Sequence, residues 1–188
     1  MQMESSAVMG DSGYTVRRLA VVEDTHLRQL AEVLRDCVEG GASVNFLLPF
    51  SPEKAVAFWR KIAAGVAAGQ RVLLVAEDDT GICGTVQLVL DLPENQPHRA
   101  EVAKLLVHRR ARNRGVGAAL MRAVDETARA CGRTLLVLDT VTGEPAERLY
   151  TRLGWQRVGV VPQFALFPDG QPCSTTFFHR RLEPAKQS

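Results

Sequence analysis

Apolar side chains recur along this chain at two spacings: every second residue in some stretches, every third or fourth in others. The switches between them predict an alternation of strands and helices. Residues 14–22 read as a first strand. A helix capped by Asp24 or Thr25 follows, with Leu27, Leu30, Ala31, Leu34 and Val38 on one face and Gly40-Gly41 as its stop. Residues 42–50 are apolar without a period and read as a loop over a pocket. Ser51-Pro52 is an N-cap with proline at the first helical position, where the missing N–H would have no partner anyway. Val56, Trp59, Ile62 and Val66 form the inward face of that helix, which runs to Gly69. Strands at 71–77 and 82–92 are joined by the hairpin signal Asp78-Asp79-Thr80-Gly81, and a further strand covers 99–107.

Past Gly115-Val116-Gly117, the positions Leu120, Met121, Val124 and Ala128 mark a helix ended by Gly132. Residues 135–138 are wholly apolar, as expected of a short strand buried on both faces. A helix over 145–153 and strands at 155–161 and 175–182 complete the order, with Pro168-Asp169-Gly170 in the loop between the last two. The order β-α-α-β-β-β-α-β-α-β-β predicts an α/β fold, a mixed sheet of about seven strands with helices on both faces. At 188 residues and 46% hydrophobic, the chain can bury one core. The expected layout is a single domain at 14–183 between tails at 1–13 and 184–188.

Charge and cysteine content narrow the picture. A net charge of +2 is too small to make nucleic acid the main partner. Cys37, Cys83, Cys131 and Cys173 are far apart, with no C-x-x-C pair, which argues against a zinc site or a disulfide framework and suits a reducing cytoplasm. There is no apolar run of membrane-spanning length, so no membrane partner is expected. Against this background one basic cluster stands out: His108, Arg109, Arg110, Arg112 and Arg114 lie between a strand and a glycine turn that opens a helix. A helix N-terminus with free backbone N–H groups and a favourable dipole is a site for a phosphate. A dinucleotide fingerprint would place Asp139 near its ribose-binding acid, but Gly115-Val116-Gly117-Ala118-Ala119-Leu120 lacks the third glycine. No Gly-Lys-Ser/Thr follows, so a Walker A loop is excluded.

Arg112-x-x-Gly115-x-Gly117, behind the strand Lys104-Leu105-Leu106-Val107, resembles the acetyl-CoA motif of the GNAT N-acetyltransferases. Residues 146–155, from Ala146 through Leu149-Tyr150 to Gly154-Trp155, are similar to that family's second motif at the expected distance. Shorter stretches around Gly40-Gly41, Arg99-Ala100-Glu101-Val102 and Leu138-Asp139-Thr140 are similar to tabtoxin-resistance acetyltransferases, which acetylate a β-lactam toxin. The resemblance implies the GNAT acyltransferase fold, acetyl-CoA as cosubstrate, no metal, and direct acetyl transfer to an amine of a small molecule. A protein N-terminus or lysine as acceptor, and a non-catalytic acyl-CoA-binding module, stay open as alternatives. It also implies a cofactor site at Leu105, Leu106, Val107, Arg112, Asn113, Arg114, Gly115, Val116, Gly117 and Ala118. Arg109 or Arg110 would reach the 3′-phosphate. Many relatives carry Asn where this chain has Gly143.

An alkyl amine with a pKa of about 10.4 is only about one part in a thousand neutral near pH 7, a deficit of about 4 kcal/mol that a general base can offset. Glu101 lies roughly 20 Å along the strand from Val107, the length of a pantetheine arm, which makes it the first candidate for that base. Asp139, at the end of its strand, would orient the amine or act as the base itself. Tyr150 would donate to the departing thiolate. The apolar last strands are expected to pair across a homodimer, and the acceptor pocket to be shaped by residues 24–69 and the loop at 164–174.

Overall fold

The structure, a computed structural model, describes residues 13–183; the expected tails lie outside these residues apart from Gly13. Seven strands form one sheet in the order β1-β2-β3-β4-β5-β7-β6. In chain order the elements are β1 (Thr15–Leu19), α1 (Asp24–Glu39), α2 (Pro52–Ala67), β2 (Arg71–Asp78), β3 (Gly81–Val89), β4 (Arg99–Val107), α3 (Val116–Ala130), β5 (Leu135–Val141), α4 (Pro145–Arg152), β6 (Gln156–Leu166) and β7 (Pro172–Arg181). The strand and helix order is the expected one; a short 3-10 turn, Arg109–Ala111, adds to it in the basic loop.

Alternation along β2 divides the core. Val72, Leu74 and Ala76 face α3 and α4, whereas Leu73 and Val75 face α1 and α2. The α3 side holds Leu120, Met121 and Val124; the α1–α2 side holds Leu30, Leu34 and a fully buried Trp59. Truncating such a residue to alanine removes about 2–5 kcal/mol of burial and packing. The Ser51 hydroxyl accepts from the Lys54 N–H at 3.2 Å, the cap expected before Pro52.

Four expectations are corrected. The first helix is capped by Glu23, not by Asp24 or Thr25, and the Glu23 N–H donates to His26 Nδ1 at 3.1 Å. β5 is not buried on both faces: Leu136 and Leu138 enter the core, while Asp139 is exposed. Nor does β5 stop at Leu138, because β7 pairs with it through Val141↔Thr175, so Asp139 sits inside the strand. Most of the expected loop at 164–174 is strand, since β6 and β7 pair as far as Leu166↔Pro172.

β4 and β5 are the parallel neighbours, and they stay together only briefly. Their register is Arg99↔Leu135, Ala100↔Leu136 and Glu101↔Val137, and it ends there. Beyond Glu101 the β5-facing edge of β4 has no strand partner among the described residues. On its other edge β4 follows β3, but Gln87↔Ala103 and Thr85↔Leu106 leave Lys104 and Leu105 opposite Val86 alone. This is a bulge, with Lys104 at φ 55°. It exchanges the faces of the strand: Ala100 and Val102 pack toward α3, whereas Leu106 packs toward α1 and α2.

Candidate active site

At the C-terminal end of β4 the basic loop turns into α3 through Gly115, whose φ of 80° is in the left-handed region that favours glycine. Next to it, a Cβ on Gly117 would lie 3.2 Å from Leu149 and 4.0 Å from Val107, so this position lets α3 close on β4 and α4. The first intrahelical bond is Ala119 N–H to Gly115 C=O at 3.0 Å. The N–H groups of Val116, Gly117 and Ala118 precede it and have no backbone acceptor among the described residues.

Two aspartates hold the arginines of the loop. Asp36 on α1 is buried, accepts from the Arg109 backbone N–H at 2.8 Å, and pairs with the Arg109 guanidinium. Arg112 Nη2 is 3.8 Å and His108 Nε2 3.6 Å from the same carboxylate. Asp78 on β2 pairs with Arg110 and lies 3.6 Å from Arg114, and the arginine contact holds its carboxyl far below the usual range. Arg110 also donates to the Ile82 carbonyl at 3.1 Å. Arg109 and Arg110 are therefore both engaged as struts. Arg112 donates through Nε to the Val107 carbonyl at 3.2 Å, with Nη2 facing the C-terminal end of α1 near Asp36 and 45% of its side chain accessible. Asn113 forms the turn with φ 60°. The two aspartates escaped the sequence reading because they lie 73 and 32 residues from their arginines.

The other end of the gap holds the remaining candidates. Strand alternation places Glu101 and Asp139 on the α1–α2 face, opposite Ala100, Leu136 and Leu138. Glu101 is exposed and accepts from Arg99 Nη1 at 2.9 Å. Asp139 has no side-chain partner within hydrogen-bonding distance among the described residues; its protein surroundings push its pKa up, Lys104 pulls it down, and Glu101 adds to the rise. Tyr150 on α4 is buried against Trp155 and Phe178, with ring centroids 6.0 Å away in each case. Burial raises its hydroxyl pKa well above the usual value, and Asp139 contributes. At neutral pH this hydroxyl keeps its proton and can donate it.

Leu106 is core, so only its backbone can serve a ligand; Leu105 and Val107 are partly buried at the core edge. At Gly143, φ 86°, the N–H donates to Glu147 at 2.5 Å and the carbonyl accepts from Arg148 at 3.0 Å. The backbone of that turn is thus occupied internally. Over the α1–α2 face, the segment between α1 and α2 meets the β6–β7 hairpin: Ser43 Oγ donates to the Leu166 carbonyl at 2.6 Å and the Leu48 N–H to Pro168 at 2.9 Å. The segment 42–50, expected as a loop, supplies one side of this contact.

A family model for the acetyltransferase (GNAT) domain matches residues 69–157, which run from the end of α2 to the start of β6. An uncharacterized N-acetyltransferase in the hisH-hisA intergenic region of Azospirillum brasilense is 31% identical over 127 residues, covering 66% of this chain and 74% of that protein. The chain belongs to the GNAT acetyltransferase family. It is an N-acetyltransferase with the GNAT fold. A GCN5-related N-acetyltransferase from Kribbella flavida superposes with a TM-score of 0.74 at 25% identity, over 92% of this chain and all of the other. The protein yncA from Salmonella typhimurium, solved with its cofactor acetyl-CoA, gives 0.74 at 19% identity over 93% of this chain and 97% of its own. No helix among the described residues is long and apolar enough to cross a membrane.

Proposed function

We propose that this GNAT protein transfers acetyl from acetyl-CoA directly to the amine of a small molecule. The parting of β4 from β5 beyond Glu101 carries the reading: among the described residues it leaves the β5-facing edge of β4 without a strand partner between the α3 N-terminus and the Glu101–Asp139–Tyr150 group. Pantetheine amides bind along Leu105, Leu106 and Val107. The pyrophosphate sits on the N–H groups of Gly115 to Ala118, flanked by Arg112, Asn113 and Arg114. Asp36 and Asp78 fix the loop that presents these groups.

At the reacting end the amine nitrogen attacks the thioester carbonyl, the C–S bond breaks, and acetyl-amine and CoA thiol result. Asp139 takes the amine proton. Its carboxyl has no side-chain partner and a raised pKa, both of which suit a base more than the Arg99-bound Glu101 does. Glu101 orients the incoming ammonium or its water. Tyr150 donates to the departing sulfur. The resemblance of three short stretches to tabtoxin-resistance acetyltransferases favours a small acceptor, and the gathered rim over the sheet face suits one. Exposed Val158, Val161 and Phe164 on the edge strand β6 support pairing of two copies there; a monomer mass by light scattering contradicts that part.

The test is thiol release across an amine panel with the wild type, Asp139→Asn and Glu101→Gln. Loss in Asp139→Asn beyond that in Glu101→Gln supports the assignment of the base. Equal activity in Asp139→Asn and wild type overturns it.

A further inference from the structure

Lys104 has no part in the transfer chemistry above, yet it sits in the middle of the site. The bulge sets it apart from the strand alternation, at φ 55°, where β4 has lost β5. It is part-buried and makes no hydrogen bond or ion pair within the described residues, although Asp139 and Arg71 are both within electrostatic reach. Burial lowers its pKa, Arg71 lowers it further, and Asp139 works against both. Arg71 is committed elsewhere: its Nη1 donates to Gln87 Oε1 at 2.8 Å. Gln87, 1% exposed and paired in register with Ala103, keeps its Nε2 without a partner among the described residues. Cationic and donor groups thus gather beside Lys104, while the two carboxylates of the site, Glu101 and Asp139, lie on the same sheet face.

The Asp139 charge offsets part of the cost of burying the Lys104 ammonium, but no acceptor lies within hydrogen-bonding distance of it among the described residues, a contact that a ligand anion would supply. Acetyl-CoA cannot supply it at this end, because its phosphates belong at the α3 N-terminus. The charge pattern is that of a receptor for a zwitterion, with carboxylates for an ammonium and a lysine for a carboxylate.

We propose that Lys104 is a specificity-determining residue that selects acceptors carrying a carboxylate near the amine, which makes the acceptor amino-acid-like. This rests on the acetyl-transfer reading and names the acceptor class for it. A neutral amine of the same length lacks the group that Lys104 binds and leaves the ammonium unpaired, which lowers kcat/KM.

The experiment compares each acid with its carboxamide: L-alanine with L-alaninamide, 4-aminobutyrate with 4-aminobutyramide, and 6-aminohexanoate with 6-aminohexanamide. Wild type and Lys104→Met are assayed by thiol release, and acetyl-CoA binding is followed by calorimetry. The expected result is a preference of about tenfold or more in kcat/KM for at least one acid over its amide in the wild type. Lys104→Met removes that preference by raising the KM of the acid, while the amides and the acetyl-CoA Kd stay within about threefold. Lys104→Arg restores part of it. The same acid raises the Tm of the wild-type CoA complex and not of the Lys104→Met complex. Amides used as well as acids by the wild type, no turnover of any acid, or an equal loss on acids and amides in Lys104→Met each overturn the proposal. The last of these marks Lys104 as a group acting on the thioester. Failure of acetyl-CoA to bind the wild type is the separate result that overturns the acetyl-transfer reading.

Discussion

The two ends of β4 are built in opposite ways. At the Val107 end the basic loop is fixed by the chain itself: Asp36 and Asp78 hold its arginines, Gly115 turns it, and Gly117 lets α3 close against β4. At the Glu101 end Arg99 holds Glu101, but among the described residues Asp139 and Lys104 have no side-chain partner within hydrogen-bonding distance, and the Gln87 amide nitrogen is unpaired. A fixed end suits a ligand part that never changes, such as a pyrophosphate. Unmet polar groups suit a reacting centre and an acceptor that completes them. Substitutions at the two ends should therefore separate cosubstrate binding from turnover.

The largest effect is expected at the open end. Asp139→Asn lowers kcat about 100-fold by removing the proton acceptor, with the acetyl-CoA KM unchanged, as steady-state thiol release checks. A rise in the acetyl-CoA KM of the same size would erase the distinction between the ends. The mirror image is Asp36→Asn: freeing Arg109 and Arg112 raises the acetyl-CoA KM and Kd about tenfold and leaves kcat at saturation unchanged, with Asp36→Glu recovering part of the binding. Calorimetric titration with CoA separates this from general destabilisation. Smaller again is Gly115→Ala, which forces a side chain into the left-handed region at a cost of about 1 kcal/mol and lowers Tm by about 2–4 °C.

The smallest effect has the opposite sign. The pKa of Asp139 is raised in the fold, so between the unfolded value of 3.8 and the higher folded value the native state binds more protons than the unfolded one. Its ionisation weakens the fold as pH rises. Asp139→Asn should therefore raise Tm slightly at pH 7, with the gain fading below pH 3.8, even as it removes activity. Thermal melts across pH check this, and a lower Tm at pH 7 would assign Asp139 a structural role.

Much of this contrast was legible in the sequence at the fixed end only. The strand over 99–107, the glycine turn and the apolar face of α3 are local patterns, and the structure has them where the sequence places them. The first family motif also lies at that end, whereas the second carries Tyr150 to the other. What was missed depends on distant partners. Asp36 reads as one more polar position on an amphipathic helix until α1 is packed against the loop. β5 looks three residues shorter than it is, because β7 supplies the pairing that carries polar Asp139 and Thr140 as strand. The bulge at Lys104 has no local signature: it shows only as a register shift against β3, and that shift takes the lysine out of the strand alternation.

The most direct test of the account is a calorimetric titration of acetyl-CoA into the Glu101→Gln/Asp139→Asn double variant. If one end of β4 holds the cosubstrate and the other does the chemistry, this variant binds acetyl-CoA with a Kd within about threefold of wild type although its turnover is lost. A Kd weakened tenfold or more, at unchanged Tm, would contradict the division of labour along β4 on which the account stands.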